Sequence, residues 1–405
     1  MGIKDFCVYW FRRASDHLKP GQRAGLVGTN SISQNRARSA SLEYVVANGG
    51  VITDAVSSQK WPGDAKVHVS IVNWVDEPQT AVEGFVIDGV DAEGIGADLR
   101  DSSPDAWSPQ VLAANKGKCF QGPIPVGAGF IIGADEARRL LALEVRYSGV
   151  VRRYLTGEDI ANDLSQSPSR WIVDFASRTL EQAAMYPAAL DVVRERVKPG
   201  RETNKRAARR ARWWLFGEKA VGLRLAIAST SRFASGTATG KRLFWTWAPS
   251  DVCPSNSTND VAFDDDFSMA VLQSRAHIAW AWQQSSTLET RLRYTPTSVF
   301  ETFPWPDRAT AEQREHAADV CRRLLARRSA LCIEHQVGLT KLYNAIDDGA
   351  YADLKALHKE LDEAVADCYG WPKSVAQDDK ELVRQLNDLN RKIIEGERAY
   401  RPFDS

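Results

Sequence analysis

The sequence predicts a mixed fold: α/β at its beginning, α+β through its middle and helical at its end. Three observations carry that prediction. Residues 23–75 alternate short apolar, strand-like runs with one helical run. Residues 78–306 are punctuated by Gly, Pro, Asp and Ser at turn spacing, and beyond Pro304-Trp305-Pro306 the apolar residues recur every three or four positions. The corresponding divisions are 1–77, 78–306 and 307–405, and 405 residues suffice for two or three separate cores.

The elements follow in order. Residues 3–18 place Phe6, Tyr9, Trp10 and Leu18 at helical spacing, with Arg12, Arg13 and Lys19 toward the end where cations suit the helix dipole. Pro20-Gly21 stops that helix, and residues 24–27 form the strand it feeds. A helix over 40–48 and two strands, 51–57 and 67–75, close this part, the strands joined by a loop over residues 59–65. Helices are expected over 134–142, 169–185 and 187–197, and a strand over the aromatic-rich 242–248. Three long helices, 310–334, 350–369 and 378–395, complete the chain; Leu354, Leu357, Leu361 and Val365 give the second one an apolar stripe.

Composition narrows the function. At 43% apolar and 26% charged the chain is ordinary for a globular protein, and no run of 18 apolar residues offers a membrane span. Six scattered cysteines form no C-x-x-C pair, so neither a zinc site nor a disulfide framework is indicated, and reduced thiols in a cytoplasmic setting are expected. No histidine spacing suits a metal; His68 reads as a packed strand residue. A Mg²⁺ nuclease needs an Asp followed by a paired Glu-x-Lys, and that combination is missing around Asp174, Glu181 and Glu218.

Net charge is zero, yet residues 194–212 hold nine basic and two acidic residues and run into Trp213-Trp214. Such a concentration suits neutralisation of nucleic-acid phosphates, with Arg194, Arg201, Lys205, Arg206, Arg209, Arg210 and Arg212 as candidate contacts. The competing reading is a solvated helix face. A second patch places Arg232, Lys241 and Arg242 among Gly, Ser, Phe244, Trp245 and Trp247, where basic side chains on loops can reach phosphates or base edges. Packing accounts for those aromatics equally well, as it does for Tyr294, Phe300, Phe303 and Trp305. The Gly-rich strings at 93–97 and 126–130 read as turns, because neither has the strand-to-helix context of a phosphate or cofactor loop.

The wording of several segments is specific. GLVGTNSISQ (25–34) followed by VITDAVSSQKWPGDAKVHVSIVNW (51–74) resembles the MmeI-like, type IIL, DNA adenine methyltransferases of restriction–modification systems. VRRYLTGEDI (151–160), RWIVDF (170–175), RARWWLFGE (210–218) and LRYTPTSVFETFPWP (292–306) resemble that family's target-recognition domain; GLTKLYN (338–344) and DEAVADCYGWP (362–372) resemble its helical C-terminal part. The resemblance implies that residues 1–77 are the C-terminal part of a Rossmann-like methyltransferase sheet, with S-adenosylmethionine as cofactor and double-stranded DNA as partner. It further implies that Trp61 packs on a flipped-out target base, the competing reading being a Trp-Pro turn packed on the sheet. Asn30 and Ser31, at the C-terminal end of a parallel strand, sit where open α/β sheets place ligands, which suits a substrate-facing role. Here the sequence departs from the pattern. No Asn-Pro-Pro or Asp-Pro-Pro motif and no cofactor loop occur in it, so no catalytic residue is assigned. Two expectations stay open. A second polypeptide carries the cofactor half, or the chain is a standalone DNA-binding specificity protein or a remnant without catalysis.

Overall fold

A computed structural model describes residues 5–65, 67–102, 108–288 and 291–403. The fold is mixed, several small sheets followed by a helical C-terminal region, and the chain divides into two compact units, residues 1–108 and 109–405.

The first unit comprises α1 (Cys7–His17), β1 (Arg23–Thr29), α2 (Asn35–Ala40), α3 (Leu42–Ala47), β2 (Val51–Lys60), β3 (His68–Val75), β4 (Phe85–Ile87) and β5 (Val90–Ala92). Its sheet has the order β1-β3-β2-β4-β5. The strand–helix–hairpin order expected for residues 23–75 is present, with differences. Of residues 3–18, helix occupies Cys7–His17, and Ile3 and Lys4 lie outside the described residues. The single helix expected over 40–48 is two, broken at Ser41, whose hydroxyl donates to Ala37 O (2.7 Å) and Ile32 O (3.0 Å) in place of helical continuity. β1 was expected to be parallel; its partner among the described residues is β3, in antiparallel register, because β3 returns from the hairpin between β1 and β2. Apolar residues of α1 and α3 cover one face: Phe11 stacks on Trp74 at 5.8 Å, beside Leu42, Val45, Ile52 and Val72. Gly28 permits this approach, since a Cβ there would lie 3.0 Å from both Phe11 and Ile32.

The second unit begins with β6 (Cys119–Gln121), β7 (Ile131–Ile132), α4 (Ala134–Leu143), β8 (Val151–Leu155), α5 (Gly157–Asn162), β9 (Arg170–Val173), α6 (Leu180–Ala184) and α7 (Pro187–Arg196). It continues with α8 (Lys198–Glu202), α9 (Ala207–Ala211), α10 (Val221–Ala226), β10 (Arg232–Thr237), β11 (Thr239–Gly240), β12 (Trp245–Pro249), β13 (Cys253–Pro254) and β14 (Thr258–Val261). Then come α11 (Asp266–Gln273), α12 (Arg275–Gln284), β15 (Ser286–Leu288), β16 (Arg291–Arg293), α13 (Ala311–His335), α14 (Leu339–Asp347), α15 (Ala352–Cys368) and α16 (Asp379–Ile394). Among the described residues these strands form three sheets, ordered β12-β10-β14-β6, β13-β8-β9-β7 and β11-β16-β15.

The helix expected over 169–185 is strand β9 followed by the short α6. Trp171-Ile172-Val173 is a β-forming run that pairs with both β7 and β8, and helix starts only where Thr179 and Gln182 form a capping box. The late helices lie close to expectation. Thr310 caps α13 with Gln313 and Asp378 caps α16, while Leu354, Leu361 and Val365 of α15 are fully buried. Tyr294, Phe300, Phe303 and Trp305 are buried as well. One core runs from Cys119 to Leu386 across Pro306, so strands and late helices bury apolar surface against each other. Among the described residues, no helix is long and apolar enough to cross a membrane, and no cluster of side chains suits a metal.

Candidate nucleic-acid interface

The fold disperses the charge run of residues 194–212. Arg194, on α7, is paired with Asp191; Arg196 meets Glu136 at 2.7 Å and Lys198 meets Glu202 at 3.7 Å. Arg201 corrects the sequence reading outright. It is 3% exposed and donates to Pro125 O (2.7 Å) and Leu215 O (3.2 Å), so its guanidinium joins two chain segments and cannot reach a phosphate. Trp214 is buried with its Nε1 donating to Arg178 O at 3.0 Å, and Trp213 is half-buried, so the tryptophan pair packs the core. Arg209 is mostly covered, its side chain 18% exposed and 4.0 Å from Glu218. What remains outward is a shorter set. Arg210 is exposed and donates to Asn204 O at 2.6 Å. Lys205, Arg206 and Arg212 are exposed, with no ion pair among the described residues.

The second patch is reorganised too. The Arg232 guanidinium lies 3.9 Å above the Trp247 ring and donates to Asp266 at 2.8 Å and Asp264 O at 3.0 Å. Arg242 donates to Asn344 Oδ1 at 2.9 Å and pairs with Asp347, both on α14. Both arginines, candidate contacts by sequence, are thus held by partners within the chain. Lys241, between β11 and β12, is exposed.

Beside Lys241 lies a feature the composition did not reveal. In β16, Leu292 is fully buried while Arg291 and Arg293 are exposed, so strand alternation places both arginines on one outward face. β11 joins this strand through Thr239↔Arg293 and Gly240↔Leu292, and β15 flanks its other side. Three cations, separated by some fifty positions in sequence, therefore share one small three-stranded ribbon. The missed signal was local: Arg291-Leu292-Arg293 already has the polar–apolar–polar period of a half-buried strand. The ribbon's root is rigid. Tyr294, which follows Arg293, is buried, and its ring hydroxyl meets His277 Nε2 at 3.0 Å while Asn259 donates to its carbonyl at 3.2 Å. Burial pushes the His277 imidazole down to about 4, so the ring is neutral; its Nδ1 donates to Leu272 O and its Nε2 accepts from Tyr294.

In the first unit, Asn30, Ser31 and Trp61 come to the same end of the sheet. The ladder aligns Thr29 with Val69 and Val69 with Gln59, which puts the end of β1 and the tip of the β2–β3 hairpin in one row. The Trp61 indole is 41% exposed, and its backbone N–H donates to Val67 O at 2.9 Å to close the loop. Ser31 donates to Asp5 at 2.7 Å and Thr29 donates to the same carboxylate oxygen. Burial acts to raise the Asp5 pKa, but these hydroxyl donors outweigh it and hold the carboxyl below its ordinary value. His68 is half-buried in β3. The Gly-rich strings are turns: 93–97 follows β5, and 126–130 enters a 3₁₀ turn before β7. Neither joins a strand to an α-helix, so they do not fit the S-adenosylmethionine loop.

Comparisons agree with this architecture. Residues 114–307 match the family model of the MmeI target recognition domain. No curated protein sequence matches the chain. The type IIL restriction–modification enzyme MmeI, solved in complex with DNA, superposes with a TM-score of 0.79 at 19% identity, over 96% of this chain and 52% of that one. The chain thus spans about half the length of that enzyme. The type IIG restriction endonuclease BpuSI aligns over 90% of this chain and 49% of its own, at 12% identity and a TM-score of only 0.29. The strands, turns and basic ribbon of residues 114–307 thus lie inside a segment that matches the MmeI target recognition domain, within a chain that shares the MmeI fold.

Proposed function

We propose that this chain recognises a DNA sequence and presents the target adenine, as the C-terminal part of a site-specific adenine-N6 methyltransferase of a restriction–modification system. The carrying observation is the outward ribbon of Lys241, Arg291 and Arg293 inside the segment that matches a target recognition domain. A two- or three-stranded ribbon fits the major groove, where arginines reach guanine edges and lysines reach phosphates. Lys205, Arg206 and Arg212 add phosphate contacts nearby in sequence to the buried Arg201 anchor. At the sheet end of the first unit, the exposed Trp61 suits stacking on an extruded base, with Asn30 at the same end.

S-adenosylmethionine supplies the methyl group in this reading, held by residues outside this chain, since its own glycine strings do not form the cradle. The resting place of that second polypeptide is the first unit's sheet. β1 pairs on one side with β3, and no strand covers its other side among the described residues. Such an edge favours strand addition. A cytoplasmic setting suits the six free cysteines.

The test begins with fluorescence anisotropy of the purified chain on duplex DNA over a range of salt concentrations. Binding that weakens steeply with salt is expected. Negligible, salt-insensitive affinity sinks the proposal. Calorimetry with S-adenosylmethionine should register no heat for this chain alone, and methyl transfer should arise only when a cofactor-binding polypeptide co-purifies with it.

A further inference from the structure

We infer that the C-terminal helices aim the recognition ribbon, through a clamp in which Asn344 and Asp347 of α14 hold Arg242. The inference rests on the reading of the ribbon as a DNA-contacting element. It assigns Arg242, an apparent DNA contact by its charge, to positioning instead.

Three neighbouring residues are gripped in turn. Arg242 Nη1 donates to Asn344 Oδ1 at 2.9 Å while its other terminal nitrogen meets the Asp347 carboxylate. The Phe244 ring packs on Tyr343, one residue before Asn344, with centroids 5.3 Å apart. The Trp245 carbonyl accepts from Arg328 of α13 at 2.8 Å and from Gln273 of α11 at 3.0 Å. Helix α14 is itself fixed: Thr340 donates to Ala161 O at 3.1 Å, and Gly338 lies so close to Asn162 that a Cβ would sit 2.3 Å from its carbonyl oxygen.

The grip passes to the ribbon through a stiff turn. Thr237 N–H donates to Phe244 O at 3.0 Å and Phe244 N–H donates to Thr237 Oγ1 at 3.2 Å, closing the turn that holds Lys241. Gly240 leaves no slack, since a Cβ there would lie 2.9 Å from Arg242 O. From Thr239 the ladder continues to Arg293. A movement of Arg242 therefore displaces Lys241 directly and Arg293 through β11. The side chains of the Arg242–Asp347 pair are 27% and 64% exposed, and exposed pairs of this kind add little to stability. Its value lies in direction.

The test uses the full chain and a duplex library with a randomised core. Selection by the wild type yields a preferred duplex, and its affinity relative to a scrambled duplex of equal composition defines selectivity. Asp347→Asn removes a negative charge, so charge alone predicts equal or tighter binding to every duplex. The clamp predicts instead that selectivity falls roughly tenfold, with scrambled binding no weaker and the melting temperature within about 2 °C. Asn344→Ala should act in the same direction, and Arg242→Asp combined with Asp347→Arg should recover selectivity that Arg242→Asp alone loses. Undiminished selectivity in both Asp347→Asn and Asn344→Ala overturns the clamp alone. A wild-type chain that binds no duplex overturns the functional reading and the clamp with it.

Discussion

Two basic regions of the second unit respond to folding in opposite ways. Residues 194–212 are dense in charge along the sequence, yet folding buries Arg201 and pairs Arg194, Arg196 and Lys198 with acidic neighbours. The ribbon is sparse in sequence, yet folding gathers Lys241, Arg291 and Arg293 on one exposed surface. Charge density along a chain and charge density on a surface are thus separate quantities. An arginine's long apolar stem and five donors make it as useful for tying segments together as for meeting phosphate.

Substitutions separate the two regions, and the buried arginine gives the strongest signal. Arg201→Ala should cost about 3 kcal/mol of stability, because it takes the side-chain donor from the Leu215 carbonyl, leaves Pro125 O with the Gly217 N–H alone and opens a cavity. Denaturant titration checks this. An unchanged midpoint would return Arg201 to the list of surface contacts. Replacing Lys241, Arg291 and Arg293 together by Ala should weaken duplex binding by about 10- to 100-fold and flatten the log–log salt slope by up to about 3. The matching replacement of Lys205, Arg206 and Arg212 should weaken all duplexes uniformly and by less, with selectivity retained. If the second triple variant loses selectivity and the first does not, the ranking of the two regions is reversed.

The smallest effect is a pH dependence at the ribbon's root. His277 has a folded-state pKa of about 4 against an ordinary value of 6.5, so the folded state favours the neutral ring. Its stabilising contribution is present above about pH 6.5 and is lost as pH falls toward 4, amounting to about 1 kcal/mol by about pH 5.5. Thermal melts of wild type and His277→Gln across this window should converge on the acid side. Parallel curves would mean that the imidazole does not charge at the root. Asp362 titrates in the opposite sense. Burial lifts its carboxyl to about 7 even though it accepts from the Arg275 N–H, so its contribution is present at low pH and fades as pH rises toward 7. Asp362→Asn should remove that second slope and leave the His277 slope in place.

Much of the frame was legible in sequence. The strand–helix–hairpin order of the first unit, the late helices over 310–334 and 378–395, and the aromatic core around Phe303 and Trp305 follow from periodicity and local chemistry, which the fold did not override. The site was less legible. Ser31 carries a hydroxyl at the expected end of β1, but its partner Asp5 lies twenty-six positions away, across a helix. Arg232 and Arg242 differ little in sequence context from Lys241, yet only the lysine remains free of Asp266, Asn344 and Asp347.

The first unit's strand–helix–hairpin order, the three late helices and the resemblance of the middle to a recognition domain came from sequence, because they depend on near neighbours and on wording, while the strand at Arg170–Val173 did not. Tertiary structure alone decided which cations stay outside and which strands share a ribbon. Those outcomes depend on pairings between residues a hundred or more positions apart, such as Arg242 with Asp347, and no local pattern encodes which distant acid or carbonyl will arrive beside a given arginine.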